Sequence, residues 1–170
     1  MAILRLRDRY TGPVALAATG LFLITALMYF LPIEIQSKIA IPVGIAALAS
    51  LWVCPWEITM ALIFSALGDL AGSYSNFLLQ MGSFGIGHIW YITFFIKRYF
   101  KKVEKDRKLT GKAKGYLAMV GFCTIVLLAV VFAQIVPEVP PGIMKAGVCI
   151  YAILISTMLV SAMIQRSSLF

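Results

Sequence analysis

Long apolar runs separated by short polar stretches restrict the fold of this chain more than any other feature. Each run has about 16 to 22 residues, which as a helix is long enough, or nearly so, to cross a hydrocarbon core of about 30 Å. Of the 170 residues, 61% are hydrophobic and 13% are charged, against roughly 25% charged in a soluble domain. A soluble globule of this size leaves too much surface to hide so many apolar residues. The sequence therefore predicts a polytopic membrane protein.

Six membrane spans are predicted from the hydropathy of these runs. They lack the alternation of a barrel strand, and an open sheet would leave unpaired edges in lipid. Prolines fall at or near span ends, where they are tolerated. The prediction is an all-α transmembrane helical bundle that forms one domain over residues 1–170. The spans are residues 13–31, 39–54, 58–76, 78–96, 115–136 and 143–164.

The basic residues predict the orientation of the chain. The net charge is +8, and nine of the fifteen Lys and Arg residues lie in 97–114. With six spans, this basic loop falls on the same side as Arg5, Arg7, Arg9 and Arg166, and such an excess marks the cytoplasmic side. We expect the N-terminus, the 97–114 loop and the C-terminus to be cytoplasmic in a plasma membrane. Membrane lipids, including anionic ones, and not nucleic acid, are the expected partners of this charge.

The cysteines and the N-terminus add little chemistry. Cys54, Cys123 and Cys149 are odd in number and show no paired spacing, so neither a disulfide framework nor a metal site is predicted. No cofactor is implied. The run at 13–31 is too long for a signal peptide, and we interpret it as a retained first span.

Two titratable side chains in residues 57–96 are candidates for chemistry. Asp69 lies in the third span, and His88, the single histidine of the sequence, lies in the fourth. An aspartate inside a span costs about 2.5 to 3.5 kcal/mol on insertion scales, so it is expected to face a partner or a water-filled cavity. From the sequence, Asp69 is the one acid that looks buried, because the others lie at span ends or in loops.

Helical spacing predicts the surroundings of these two residues. Ser65, four residues before Asp69, is expected to reach it, and Gly68 with Gly72 forms a smooth surface for another helix. Around His88 the sequence places Met81, Gly82 and Gly85 on the preceding turns and Tyr91 on the next turn. These small residues leave room for a ligand. Helix packing with hydrogen-bonded side chains is the alternative for each residue alone, whereas their occurrence on neighbouring antiparallel helices favours a shared site.

Three stretches resemble the YhhN-like family of integral membrane proteins, which includes the lysoplasmalogenases. They are residues 61–69 (ALIFSALGD), 84–91 (FGIGHIWY) and 151–158 (YAILISTM). The resemblance covers roughly residues 33–166 and rests mainly on the Ser-x-x-Gly-Asp and Gly-x-x-His-x-x-Tyr patterns.

The resemblance implies hydrolysis of the vinyl ether bond of lysoplasmalogens, which are single-chain ether lysophospholipids, with release of a fatty aldehyde. Asp69 matches the family's first acidic position and is implied as the general acid or its charge-stabilising partner. His88 is the second catalytic candidate. The supporting or substrate-binding candidates are Ser65, Tyr91, Gly85, Gly68 and Lys38.

The chain departs from the family pattern in two places. The family usually has about eight spans and carries a second acid, in a Ser-Asp pair, in the last two. Its Lys-Pro pair in the second span is absent as such, although Lys38 and Pro42 lie nearby. An ether hydrolase is therefore the first hypothesis, and a non-catalytic lysolipid-binding or transport protein, as a truncated or inactive family member, is the second. A structural membrane subunit is the third.

Overall fold

The computed structural model describes residues 2–27, 30–32, 34–103 and 111–167, and α-helices dominate this part of the chain. Each of the six predicted spans coincides with one α-helix, so the all-α fold is confirmed. The helices are α1 (Ala2–Leu27), α2 (Ala40–Val53), α3 (Trp56–Ser73), α4 (Phe77–Val103), α5 (Gly111–Val130) and α6 (Ile143–Ser167).

Several helices extend beyond the predicted spans. Helix α1 begins at Ala2 and continues through Pro13, and α3 begins at Trp56, which makes it 18 residues long, or about 27 Å. Helix α4 continues to Val103 and α5 begins at Gly111. Both ends of the predicted 97–114 loop are thus helical, and residues 104–110 lie outside the described residues.

Two stretches of the described chain are long and apolar enough by themselves to cross a membrane. They are Lys114–Glu138 and Ile143–Ile164. The apolar part of α2, Ala40–Trp52, is shorter. Helix α3 is less apolar than α2 because it carries Glu57 and Asp69.

The chain divides into two compact units, residues 1–87 and 88–170. In the first unit, α2 packs against both α1 and α3. The backbone N–H of Cys54 donates to the Ser50 carbonyl, and Pro55 directly precedes α3. Ser50 Oγ and Thr59 Oγ1 share a hydrogen bond of 2.9 Å in a buried position. This polar pair fixes α2 to the first turns of α3.

A short turn reverses the chain between α3 and α4. Ser75 has a φ of 57°, in the left-handed region. The backbone N–H of Leu79 donates to Asn76 Oδ1 at 3.1 Å, which satisfies one of the free donors at the start of α4. Residues 77–87 of α4 therefore return along α3 within the first unit.

In the second unit, α5 and α6 form an antiparallel pair. The Tyr116 hydroxyl near the start of α5 donates to Met163 Sδ near the end of α6, at 3.1 Å. Helix α5 continues into a π-helical turn, Val131–Ile135, and a 3-10 turn, Val136–Glu138. Gly142, with a φ of 108°, completes the proline-rich connection, because this left-handed conformation favours glycine.

Candidate functional site

Asp69 lies near the C-terminal end of α3 and is half-buried. Helical spacing places it beside Gly68 and away from the face that exposes Leu67. Ser73 Oγ donates to the backbone carbonyl of Asp69 at 2.9 Å. Among the residues that the structure describes, none donates to the Asp69 carboxylate or forms an ion pair with it. Binding of a ligand by this carboxyl group stays a prediction.

Ser65 does not fulfil the expectation that it reaches Asp69. Its hydroxyl donates to the carbonyl of Ala61 at 2.9 Å. The reason is local, because a serine inside a helix readily donates to the carbonyl four residues earlier. Ser65 lies instead on the face of α3 that meets α4, 3.4 Å from the position of a Cβ on Gly87.

The glycines of α3 are packing positions filled by side chains from α4. A Cβ on Gly68 would lie 3.0 Å from the Phe84 ring, and a Cβ on Gly72 would lie 2.5 Å from Nε2 of Gln80. The predicted smooth surface is therefore present, and it brings α4 close. Phe84 occupies the space over Gly68, and a supporting role of Gly68 in the site stays a prediction.

The three glycines of α4 before His88 differ in their surroundings. A Cβ on Gly87 would lie 3.1 Å from the Ala61 carbonyl oxygen, so this glycine allows close approach to α3. Gly82 is exposed and nothing lies within 4 Å of its Cβ position. Gly85 is buried, and its role beside a ligand stays a prediction.

Polar side chains gather where the α1–α2 connection meets the α3–α4 turn. Gln36 Nε2 donates to the Ser73 carbonyl at 3.2 Å, and Lys38 Nζ donates to the Leu31 carbonyl at 3.4 Å. The Gln80 amide packs on Gly72, one turn of α3 beyond Asp69. Sequence reasoning missed Gln36 and Gln80. The sequence could have indicated both residues, because a glutamine amide in or beside an apolar run is costly to bury without a hydrogen-bond partner.

In the second unit, His88 lies against an aromatic ring that sequence spacing did not predict. The rings of His88 and Tyr151 are 5.5 Å apart between centroids, with an interplanar angle of 83°. This edge-to-face arrangement is favourable for aromatic pairs. Tyr91, the predicted neighbour, is half-buried on the same helix. Tyr151 was missed as a site residue because no local pattern relates α4 to α6.

Asp69 is not the one buried acid, contrary to the sequence-based interpretation. Glu57 is the buried acid among the described residues, with 8% of its surface exposed, whereas Asp69 is half-buried. It lies in the first turn of α3, where a negative charge is favoured by the helix dipole. The two acids are about 18 Å apart along the helix axis, so Glu57 cannot serve the same site as Asp69.

These features define an integral membrane protein of the all-α class with an accessible acid on a helix inside the first unit. A family model describes the relationship further: the YhhN family model matches residues 35–169. The chain belongs to the YhhN family, whose members are integral membrane proteins and include lysoplasmalogenases. The resemblance seen in the sequence is thus confirmed. No curated protein and no solved structure matches the chain.

Proposed function

We propose that the protein hydrolyses the vinyl ether bond of lysoplasmalogens, with Asp69 as the general acid. Family membership supports the reaction class, because the YhhN family includes lysoplasmalogenases. The observation that carries the role of Asp69 is its position: half-buried on α3, with no partner for its carboxylate among the described residues. An acid kept inside a membrane helix without such a partner is more readily explained by function than by stability.

The reaction needs one proton donor and one water molecule. Protonated Asp69 transfers its proton to the vinyl ether carbon remote from oxygen, and the adjacent carbon becomes an oxocarbenium ion. Water adds to that carbon, and the proton that it loses restores the acid. The resulting hemiacetal breaks its bond to the glycerol oxygen, which takes up the proton of the hemiacetal hydroxyl group as the aldehyde carbonyl forms. The products are a fatty aldehyde and a glycerophospho-base, so atoms and charge balance without a cofactor.

The other candidate residues have supporting parts in this proposal. His88 stays the second catalytic candidate, with its ring held in orientation by Tyr151 within the second unit. Lys38 is the proposed contact for the lipid phosphate, because it lies in the connection that Gln36 ties to the end of α3. Gly85 is the proposed lining next to the substrate in the first unit, and Tyr91 is a proposed supporting residue near His88 on α4.

Aldehyde release from a purified lysoplasmalogen tests the proposal. Asp69→Asn keeps the shape of the side chain but cannot deliver the proton, so we expect activity to fall by a factor of about 10² or more. The matched control is Glu57→Gln, the same chemical change on the same helix, which should retain activity in folded protein. Thermal unfolding should show Asp69→Asn to be as stable as the parent. Full activity of Asp69→Asn would exclude the acid role.

Non-catalytic lysolipid binding is the second candidate, and one observation favours it. The buried acid Glu57 is about 18 Å from Asp69 along α3, so among the described residues of the first unit no buried carboxyl group lies within reach of Asp69. Binding of lysoplasmalogen without aldehyde release, by wild-type protein, would establish this alternative and exclude the hydrolase.

A further inference from the structure

The second unit contains a cavity of about 260 Å³ between α5 and α6. Leu127 and Val131 line it from the α5 side, and Val148, Ala152 and Leu159 line it from α6. The Thr124 hydroxyl at one end already donates a hydrogen bond to the Val120 carbonyl at 2.8 Å. The cavity therefore offers hydrocarbon surface along most of its length.

The length of the cavity matches one leaflet of a bilayer. It extends from Thr124 to Ile135 on one side and from Val148 to Leu159 on the other, about 16 Å along each helix. The hydrocarbon core of a bilayer is about 30 Å thick, so a chain in one leaflet occupies about half of that depth. The cavity lies mostly in the half of the span Lys114–Glu138 nearer the proline-rich connection.

The volume of the cavity suits one chain. Pockets that enclose drug-sized ligands have about 300 to 1,000 Å³, and this cavity is slightly smaller. Its rim carries exposed apolar side chains, because Leu127 and Ile135 are 59% and 51% exposed. A hydrocarbon chain can enter through an apolar rim of this kind, and the volume leaves no space for the second chain of a diacyl lipid.

A π-helical turn and a tyrosine distinguish this cavity from an ordinary gap between helices. Val131 and Ile135, both in the lining, begin and end the π-helical turn, a local widening that is frequent at functional sites. Tyr151 lines the cavity and also lies against His88. Its hydroxyl bonds to none of the residues that the structure describes. Tyr151 thus adds a polar group to a mostly apolar lining, beside the histidine, and Ser156 is a second lining residue with a hydroxyl group.

We infer that this cavity binds the single hydrocarbon chain of a lysolipid, with Tyr151 separating the chain from His88. The lysolipid identity rests on the proposed function, whereas the single chain follows from the length, volume and lining of the cavity. Helices α5 and α6 would then select the substrate directly, by holding its hydrocarbon chain.

Filling the cavity tests the inference. The probe is 1-O-hexadecyl lysophosphatidylcholine, a saturated ether that cannot undergo the hydrolysis, with binding measured by thermal stabilisation. Ala152→Phe places a ring in the cavity and should weaken binding by about tenfold or more, because excluding two methylene groups from an apolar site has that effect. Ala146→Phe is the matched control, since Ala146 is exposed on the same helix outside the lining, and it should bind as wild type does.

A second variant measures the length of the site. Ser156→Phe lies nearer the Thr124 end and should weaken binding of the hexadecyl lipid more than binding of the 1-O-decyl lipid. If Ala152→Phe unfolds, Ala152→Leu replaces it. Unchanged binding in folded Ala152→Phe, an equal loss in Ala146→Phe, or no binding to wild type would overturn the inference. Selective loss in Ala152→Phe with no aldehyde release by wild type would leave the chain site standing and exclude only the hydrolase.

Discussion

The ring of Phe84 rests on Gly68, so closely that a Cβ on the glycine would lie 3.0 Å from ring atoms Cγ and Cδ2. Such a contact is tighter than van der Waals packing allows without movement of a neighbour. The approach of α4 to α3, next to Asp69, therefore depends on the absence of a side chain at Gly68 and on the presence of a flat ring at position 84.

Gly68→Ala should lower the free energy of unfolding by about 1 to 3 kcal/mol, the usual cost of overpacking a core. Combining it with Phe84→Leu should recover part of that loss, because the smaller side chain makes room for the new methyl group. Unfolding in mixed detergent micelles measures both variants. Gly82→Ala is the control, since nothing lies within 4 Å of its Cβ position, and it should be neutral or slightly stabilising. Equal changes in the free energy of unfolding for Gly68→Ala and Gly82→Ala would contradict the packing described for Gly68.

The hydrogen bond between Ser50 and Thr59 should couple α2 to α3. A double-mutant cycle with Ser50→Ala and Thr59→Val should give a coupling energy of about 0.6 to 1.7 kcal/mol, the range measured for hydrogen bonds between membrane helices. Thr93→Val supplies the comparison, because Thr93 donates to the Ile89 carbonyl of its own helix at 2.8 Å and to no other described residue. Additive effects of Ser50→Ala and Thr59→Val would show that the bond contributes nothing to stability.

The edge-to-face contact between His88 and Tyr151 should be measurable in the same way. We expect a coupling energy of about 0.5 to 1.5 kcal/mol between His88→Leu and Tyr151→Leu, as for other aromatic pairs. Tyr151→Phe keeps the ring and should keep the stability of the parent. Loss of activity in Tyr151→Phe with unchanged unfolding would assign a role to the hydroxyl itself, whereas absence of coupling would show that the two rings are independent.

The orientation of the chain can be tested by labelling. In a variant without Cys54, Cys123 and Cys149, a cysteine at position 110 should be protected from an impermeant reagent in intact cells, because the basic residues around it predict the cytoplasmic side. A cysteine at Asn76, in the exposed turn between α3 and α4, should react from outside. The reverse pattern would invert the proposed topology.

The positions of the helices could be predicted from the sequence with good accuracy. Pro55 directly precedes α3 and the proline-rich segment separates α5 from α6, as their missing N–H groups require. The ends of α1 and α4 were predicted less well. The predicted fourth span ended before Lys97, because charged residues lower the hydropathy. They do not end a helix, because lysine and arginine are good helix formers.

The candidate site was predictable only in part. Asp69 and His88 stand out in the sequence because titratable groups are rare in apolar runs. The burial of Glu57 was missed, because a position at a span end says nothing about what covers it. The partners of Gly68 and Gly72 were also missed, since the sequence shows that a helix can approach there but not which side chain arrives.

The sequence by itself determined that the chain is helical, where most of its helices lie and which family it belongs to. Hydropathy and motif spacing are local properties, and in lipid the need to satisfy every backbone hydrogen bond leaves the helix as the available structure for such runs. Only the tertiary structure decided that Phe84 fills the space over Gly68 and that Tyr151 meets His88. Those contacts depend on the rotation and crossing of whole helices, which the packing of all their side chains sets together.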